Sequence, residues 1–176
     1  MKLDFEKAFD KVEHQAILEI LRHKGFSEKW TGWIQNILNS GESSVLFNNI
    51  LGKSFKCLRG VRQGDPLSPL LFVLVADLLQ TIVNKAWQNG TLKHPLSDSF
   101  GGGGDFPIIQ YANDTLLILP AEAKTLFNLK SGLNSFSDST SLHVIFQKCF
   151  LIPINMSENR ALHLANTRLE ICLLPT

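Results

Sequence analysis

The chain has 176 residues, 44% of them hydrophobic and 19% charged, a size and composition that support one domain with a sizeable core. Seventeen Lys and Arg against sixteen Asp and Glu leave a net charge of +1, so a polyanionic partner is neither demanded nor excluded and must be sought in local clustering. Cys57, Cys149 and Cys172 are far apart, odd in number and without Cys-x-x-Cys spacing, which argues against zinc and predicts reduced core thiols in an intracellular protein. The opening Met1-Lys2-Leu3-Asp4 shows no signal peptide, and the longest apolar run, Leu70 to Ala76, stops at Asp77, far short of the roughly 18 to 20 residues of a membrane span. No membrane is expected among the partners.

In chain order, Leu3-Asp4-Phe5 reads as the end of a strand. Val12, Ile17, Ile20 and Leu21 mark the buried face of a helix from Phe9 to Lys24, closed by Gly25. Ser27 suits the cap of a second helix, in which Trp30, Trp33, Ile34, Ile37 and Leu38 keep helical spacing; both tryptophans are expected in the core, and Gly41 ends the helix. Residues 43–47 and 54–58 read as a hairpin turned through Asn48-Asn49 and Gly52. Arg59 to Pro69, dense in Gly, Pro and charge, is a loop feeding a helix. Ser68 suits the N-cap of that helix and Pro69 its first position, and Leu70 to Val83 is apolar nearly all round, as in a core helix. The loop would lie at the helix's positive end, where phosphates bind readily.

From Asn89 to Phe106 the sequence loosens. Its run Gly101-Gly102-Gly103-Gly104 lacks the Lys-Ser/Thr of a phosphate loop and reads as linker. Gln110 to Leu119 is a pair of apolar runs around Asn113-Asp114, a buried β-hairpin with those two residues at its tip. Taken alone, Asn-Asp indicates a turn before it indicates a site. A helix over 121–138 carries Leu126, Leu129, Leu133 and Phe136. A third hairpin then pairs 143–146 with 149–154 around Gln147-Lys148, and a short helix covers 157–165. Residues 166–176 form an unassigned tail, and no internal repeat is visible.

Asp4 at a strand end and Asp114 at a hairpin tip are two carboxylates that an α+β fold can bring to one sheet edge. Such a pair suits hard Mg²⁺ ions, which prefer oxygen ligands and, about 3.5 to 4 Å apart, activate a hydroxyl and stabilise a leaving pyrophosphate.

Three stretches then carry a resemblance. Lys2-Leu3-Asp4-Phe5-Glu6-Lys7-Ala8-Phe9-Asp10 resembles motif A of the reverse transcriptases of non-LTR (LINE-type) retrotransposons. Arg59-Gly60-Val61-Arg62-Gln63-Gly64-Asp65-Pro66-Leu67-Ser68-Pro69 resembles their motif B, and Gln110-Tyr111-Ala112-Asn113-Asp114-Thr115 their motif C, which in the family reads Tyr/Phe-Ala-Asp-Asp. The order is right, the similarity covers residues 2 to 165, and plant members of the group are the most alike. The resemblance implies an α+β polymerase palm over 1–165, a small antiparallel sheet packed on helices, with Mg²⁺ as cofactor and RNA template, DNA primer and dNTP as partners. It implies that Asp4 binds both metals, with Asp114 as a further ligand. Phe9 would be the steric gate under the incoming sugar, and Gln63 and Gly64 would lie against nucleotide and template, Gly64 because a side chain would block close backbone approach. Arg59 and Arg62 would contact phosphates, and Lys148 would lie near those of the nucleotide. The ancestral activity places such a protein in nucleus or cytoplasm.

The departures set the functional expectation. Asn113 stands where the family has the first Asp of its pair, so the site loses a full negative charge. Complete fingers, a thumb and an endonuclease are expected to be missing, and a net charge of +1 does not replace a basic channel. The expectation is therefore a palm from a degenerate LINE-type element, catalytically inactive. The alternatives are a weakly active polymerase, or a non-catalytic palm that binds nucleic acid or protein.

Overall fold

The computed structural model describes residues 1–96, 104–111, 114–166 and 171–173. Most of the glycine run, Asn113 and part of the tail lie outside the described residues. The chain forms two compact units, Met1–Glu6 with Ala76–Thr176, and Lys7–Val75. The described residues are mixed helix and small sheets, an α+β arrangement.

The first unit is built on a five-stranded sheet in which β1 (Lys2–Leu3) is the central strand. On one side β1 pairs antiparallel with β7 (Asp114–Leu117), Lys2 opposite Leu116 and Leu3 opposite Thr115. Met1 and Leu117 exchange hydrogen bonds of 2.7 and 2.8 Å, which continues the same register. On the other side Lys2 lies opposite Phe150 of β8 (Phe150–Leu151), and Phe5 bridges Val144. The expected third hairpin is therefore absent: its two arms pair with the N-terminal strand rather than with each other, and a 3₁₀ turn at Phe146–Lys148 separates them. β9 (Cys172–Leu173), within the stretch read as a tail, pairs parallel with β8. The sheet is thus mixed, not purely antiparallel as expected, because a crossover carrying α6 (Glu158–Asn166) returns the chain in the same direction.

The hairpin of β6 (Ile108–Tyr111) and β7 forms, with Tyr111 opposite Asp114, so Asp114 opens the second strand instead of sitting at the tip. It is half-buried and not covered on both faces: β6 is an edge strand with Ile109 and Tyr111 exposed, while Thr115 and Leu117 are buried. α5 (Ala123–Thr140), shifted two residues from the expected span, buries Leu126, Leu129, Leu133 and Phe136. Phe136 meets Phe5 at a ring separation of 5.9 Å, which packs α5 against the segment following β1.

The second unit is mainly helical. The single helix expected from Phe9 to Lys24 is two, α1 (Ala8–Lys11) and α2 (His14–His23), because Val12 and Glu13 take extended backbone. The Val12 carbonyl accepts from Gly60 N and Glu13 bridges Arg59, so that backbone serves a distant loop instead of the helix ladder. α2 ends as anticipated at Gly25, where Phe26 N bonds Leu21 O and Gly25 N bonds Arg22 O at φ +83°, the Schellman pattern. α3 (Glu28–Asn39) starts at Ser27, whose hydroxyl accepts from Trp30 N. Its buried line is Thr31, Ile34 and Leu38, so Trp30 and Trp33, expected in the core, are 39% and 52% exposed. The following hairpin is interrupted: β2 (Glu42–Ser43) pairs with β5 (Phe55–Lys56), and β3 (Leu46–Phe47) with β4 (Ile50–Leu51) through Asn48 and Asn49 at positive φ. Two left-handed residues in succession make the turn suited to strand twist.

α4 (Ser68–Gln88) carries the chain out of the second unit. Asp65, not Ser68, supplies its side-chain cap, accepting from Leu67 N at 2.8 Å. Leu70 and Val73 are exposed, so the helix is not buried all round. α4 is long and apolar enough to cross a membrane by length and composition alone, with a third of its most apolar window buried. Its polar residues distinguish it from a span: Gln80 donates to Phe106 O, and Asn84 bonds both Asp105 and Phe106 N.

Candidate active site

In the sheet unit, the register of β1 and β7 determines where the carboxylates go. Met1·Leu117 and Leu3·Thr115 are the hydrogen-bonding pairs, and their side chains are buried. Continued one residue beyond β1, the same register would set Asp4 opposite Asp114 as a non-bonded pair, the closer kind, in which Cβ atoms stand about 4.5 to 5.5 Å apart. The backbone bonds of Asp4 fit this, since both point away from β7: its N–H donates to Cys149 Sγ at 3.4 Å and its carbonyl accepts from Ile145 N at 2.9 Å. Alternation then puts Lys2, Asp4 and Asp114 on the opposite face from Leu3 and Thr115. Lys2 Nζ lies 3.0 Å from Asp114 Oδ1, with the two side chains 48% and 62% exposed, so the pair adds little to stability.

Cys149 is fully buried and holds Asp4 from behind. Burial pushes its thiol pKa up, against the smaller lowering effect of the Asp4 amide, so at neutral pH it stays protonated and donates to Ile145 O. Lys148, exposed, immediately precedes it at the end of the 3₁₀ turn. Two carboxylates are hard oxygen donors that fit a divalent cation such as Mg²⁺. Among the described residues no cluster of three or more His, Cys, Asp and Glu gathers to hold one.

In the helical unit, the loop after Arg59 is fastened to the bend between α1 and α2. Gly60 N donates to Val12 O at 2.8 Å, Val61 N to Phe9 O at 2.7 Å, and His14 Nε2 to Gly60 O at 2.7 Å. Gly60 is at φ +80°, and a Cβ there would sit 2.5 Å from the Asp10 carbonyl. Gly60 is thus a position where this chain's own backbone requires glycine, whereas Gly64, at φ +87°, has open space where a Cβ would stand. Gln63 Nε2 donates to Asp10 Oδ1 at 3.2 Å. Phe9 is half-buried and stacks on Phe72, with ring centroids 4.7 Å apart and planes 16° apart.

Arg59 and Arg62 are exposed and have no carboxylate partner among the described residues. With His14, Gln63 and Asp10 they line a cleft of about 910 Å³, bounded also by the end of α3 and β2. Each unit thus gathers its own group: Asp4, Asp114 and Lys148 along the sheet, and Phe9, Arg59, Arg62, Gln63 and Gly64 at the loop. Sequence reasoning missed Gly60, His14, Asp10, Cys149 and Lys2. Only Lys2 left a local signal, its two-residue spacing from Asp4 on a strand.

Residues 1–157 match the family model described as reverse transcriptase (RNA-dependent DNA polymerase). The retrovirus-related Pol polyprotein from the type-2 retrotransposable element R2DM of Drosophila melanogaster is 42% identical over 81 residues, 46% of this chain and 8% of that protein. The corresponding polyprotein from the type-1 element R2 of Nasonia vitripennis is 43% identical over 75 residues, 43% of this chain and 7% of its own length. One from Popillia japonica is 32% identical over 136 residues, 73% of this chain and 18% of its own. The chain spans only a small part of each.

Proposed function

Because the chain belongs to the reverse transcriptase (RNA-dependent DNA polymerase) family, of the non-LTR retrotransposon type, we propose that it is the palm of such a polymerase in a degenerate copy that no longer adds nucleotides. In this reading Asp4 and Asp114 hold Mg²⁺, which when bound would activate the primer hydroxyl and neutralise the leaving pyrophosphate. Phe9 lies under the incoming sugar, and Gln63 and Gly64 lie against nucleotide and template. Arg59 and Arg62 take phosphates, as does Lys148 near the nucleotide.

The observation that carries the loss of activity is Asn113. An amide oxygen still coordinates, but it is neutral, and one lost polar group of this kind lowers rate by roughly a hundred- to thousandfold. The test is primer extension on poly(rA)·oligo(dT) with Mg²⁺ or Mn²⁺. The wild type is expected to show no extension and Asn113→Asp to gain it; extension by the wild type that Asp4→Ala abolishes would overturn the proposal.

A second reading, a palm that binds nucleic acid without catalysis, is favoured by the two exposed arginines at the cleft, which have no carboxylate partner among the described residues. Filter binding to RNA, DNA and hybrid should show affinity that falls with salt and drops on substitution of both Arg59 and Arg62 by Ala. No binding at low salt would end it.

A further inference from the structure

We propose that Lys2 is a built-in competitor of the divalent cation: its ammonium holds Asp114 and weakens metal binding at the Asp4–Asp114 pair. The inference rests on the reading of that pair as the metal site. Lys2 Nζ is 3.0 Å from Asp114 Oδ1, and the β1–β7 register puts Lys2 on the same face as both carboxylates. The lysine cannot be turned away by slippage, because a one-residue shift would bury Lys2 and expose Leu3, which is 0% exposed and sits on the central strand. Lys2 is the positive charge that the register sets beside Asp114 on this face. A metal ion at Asp114 must displace the ammonium or tolerate it a few ångströms away.

Removing the lysine charge makes that face more negative by one unit. The pair is half-exposed, so its loss should leave folding intact while changing the potential felt by a cation. For a divalent ion about 5 Å from a unit charge in a water-like medium, the change corresponds to roughly fivefold in affinity with the screening of about 0.1 M salt.

The experiment is a Mn²⁺ titration of the full chain followed by electron paramagnetic resonance of the free ion, with thermal melts run in parallel. Lys2→Met and Lys2→Gln should bind Mn²⁺ roughly fivefold tighter than wild type, the gain shrinking as salt rises. Lys2→Arg should match wild type, and Asp114→Asn added to Lys2→Met should remove the gain. Equal affinity in wild type and both neutral variants, no Mn²⁺ binding in any of them, or the same gain in Lys2→Arg would each overturn the proposal. Polymerase activity is not the readout, so extension by the wild type would sink the inactive reading and leave this result standing.

Discussion

The loop at Arg59–Asp65 and the strand pair carrying Asp4 and Asp114 hold their residues by different means. The loop is secured by main-chain bonds from Gly60 and Val61, by the His14 ring on the Gly60 carbonyl, and by a glycine whose missing Cβ is a steric requirement. The carboxylates are placed by sheet register, with their charged ends on the half-exposed face, where Asp114 makes a solvent-exposed ion pair with Lys2. A change of chemistry on such a face is nearly free structurally, whereas a change in the loop disturbs the backbone where α1 and α2 meet.

The contrast can be broken by measuring stability at both places. Gly60→Ala should have the largest effect, destabilising by about 3 kcal/mol, since it combines a steric clash with backbone at 2.5 Å and an unfavourable φ. Urea denaturation checks it, and a loss below that of Gly64→Ala would refute the steric argument. Gly64→Ala, with the same φ problem and open space, should lose only about 1 kcal/mol. Smallest is Asp114→Asn, expected to shift stability by less than about 0.5 kcal/mol because its ion pair is solvent-exposed. A loss as large as that of Gly60→Ala would make the carboxylate face structural.

Local signals in the sequence reached as far as local forces do. Ser27 and Gly25 mark helix ends through bonds to neighbours within five residues, and both are where the sequence puts them. The motif order likewise identified the family. The break at Val12–Glu13 was hidden because its cause is a loop nearly fifty residues away, and the role of Gly60 was hidden for the same reason. Trp30 and Trp33 share a helical stripe with the buried residues, so spacing alone could not choose which edge faces inward. The two-residue strand β8 is too short to have a period, which is why its partner was misassigned.

β1 also governs how the sheet comes into being. Its two residues sit between strands that begin at 114 and 150, and the Met1–Leu117 bond joins positions 116 apart. The middle of the sheet is thus synthesised before either neighbour exists. Loop closure over such separations is entropically slow, so β1 stays unpaired until more than a hundred residues beyond it have been made. Until then its backbone groups lack their sheet partners, the kind of unpaired strand that makes nascent chains prone to misassembly.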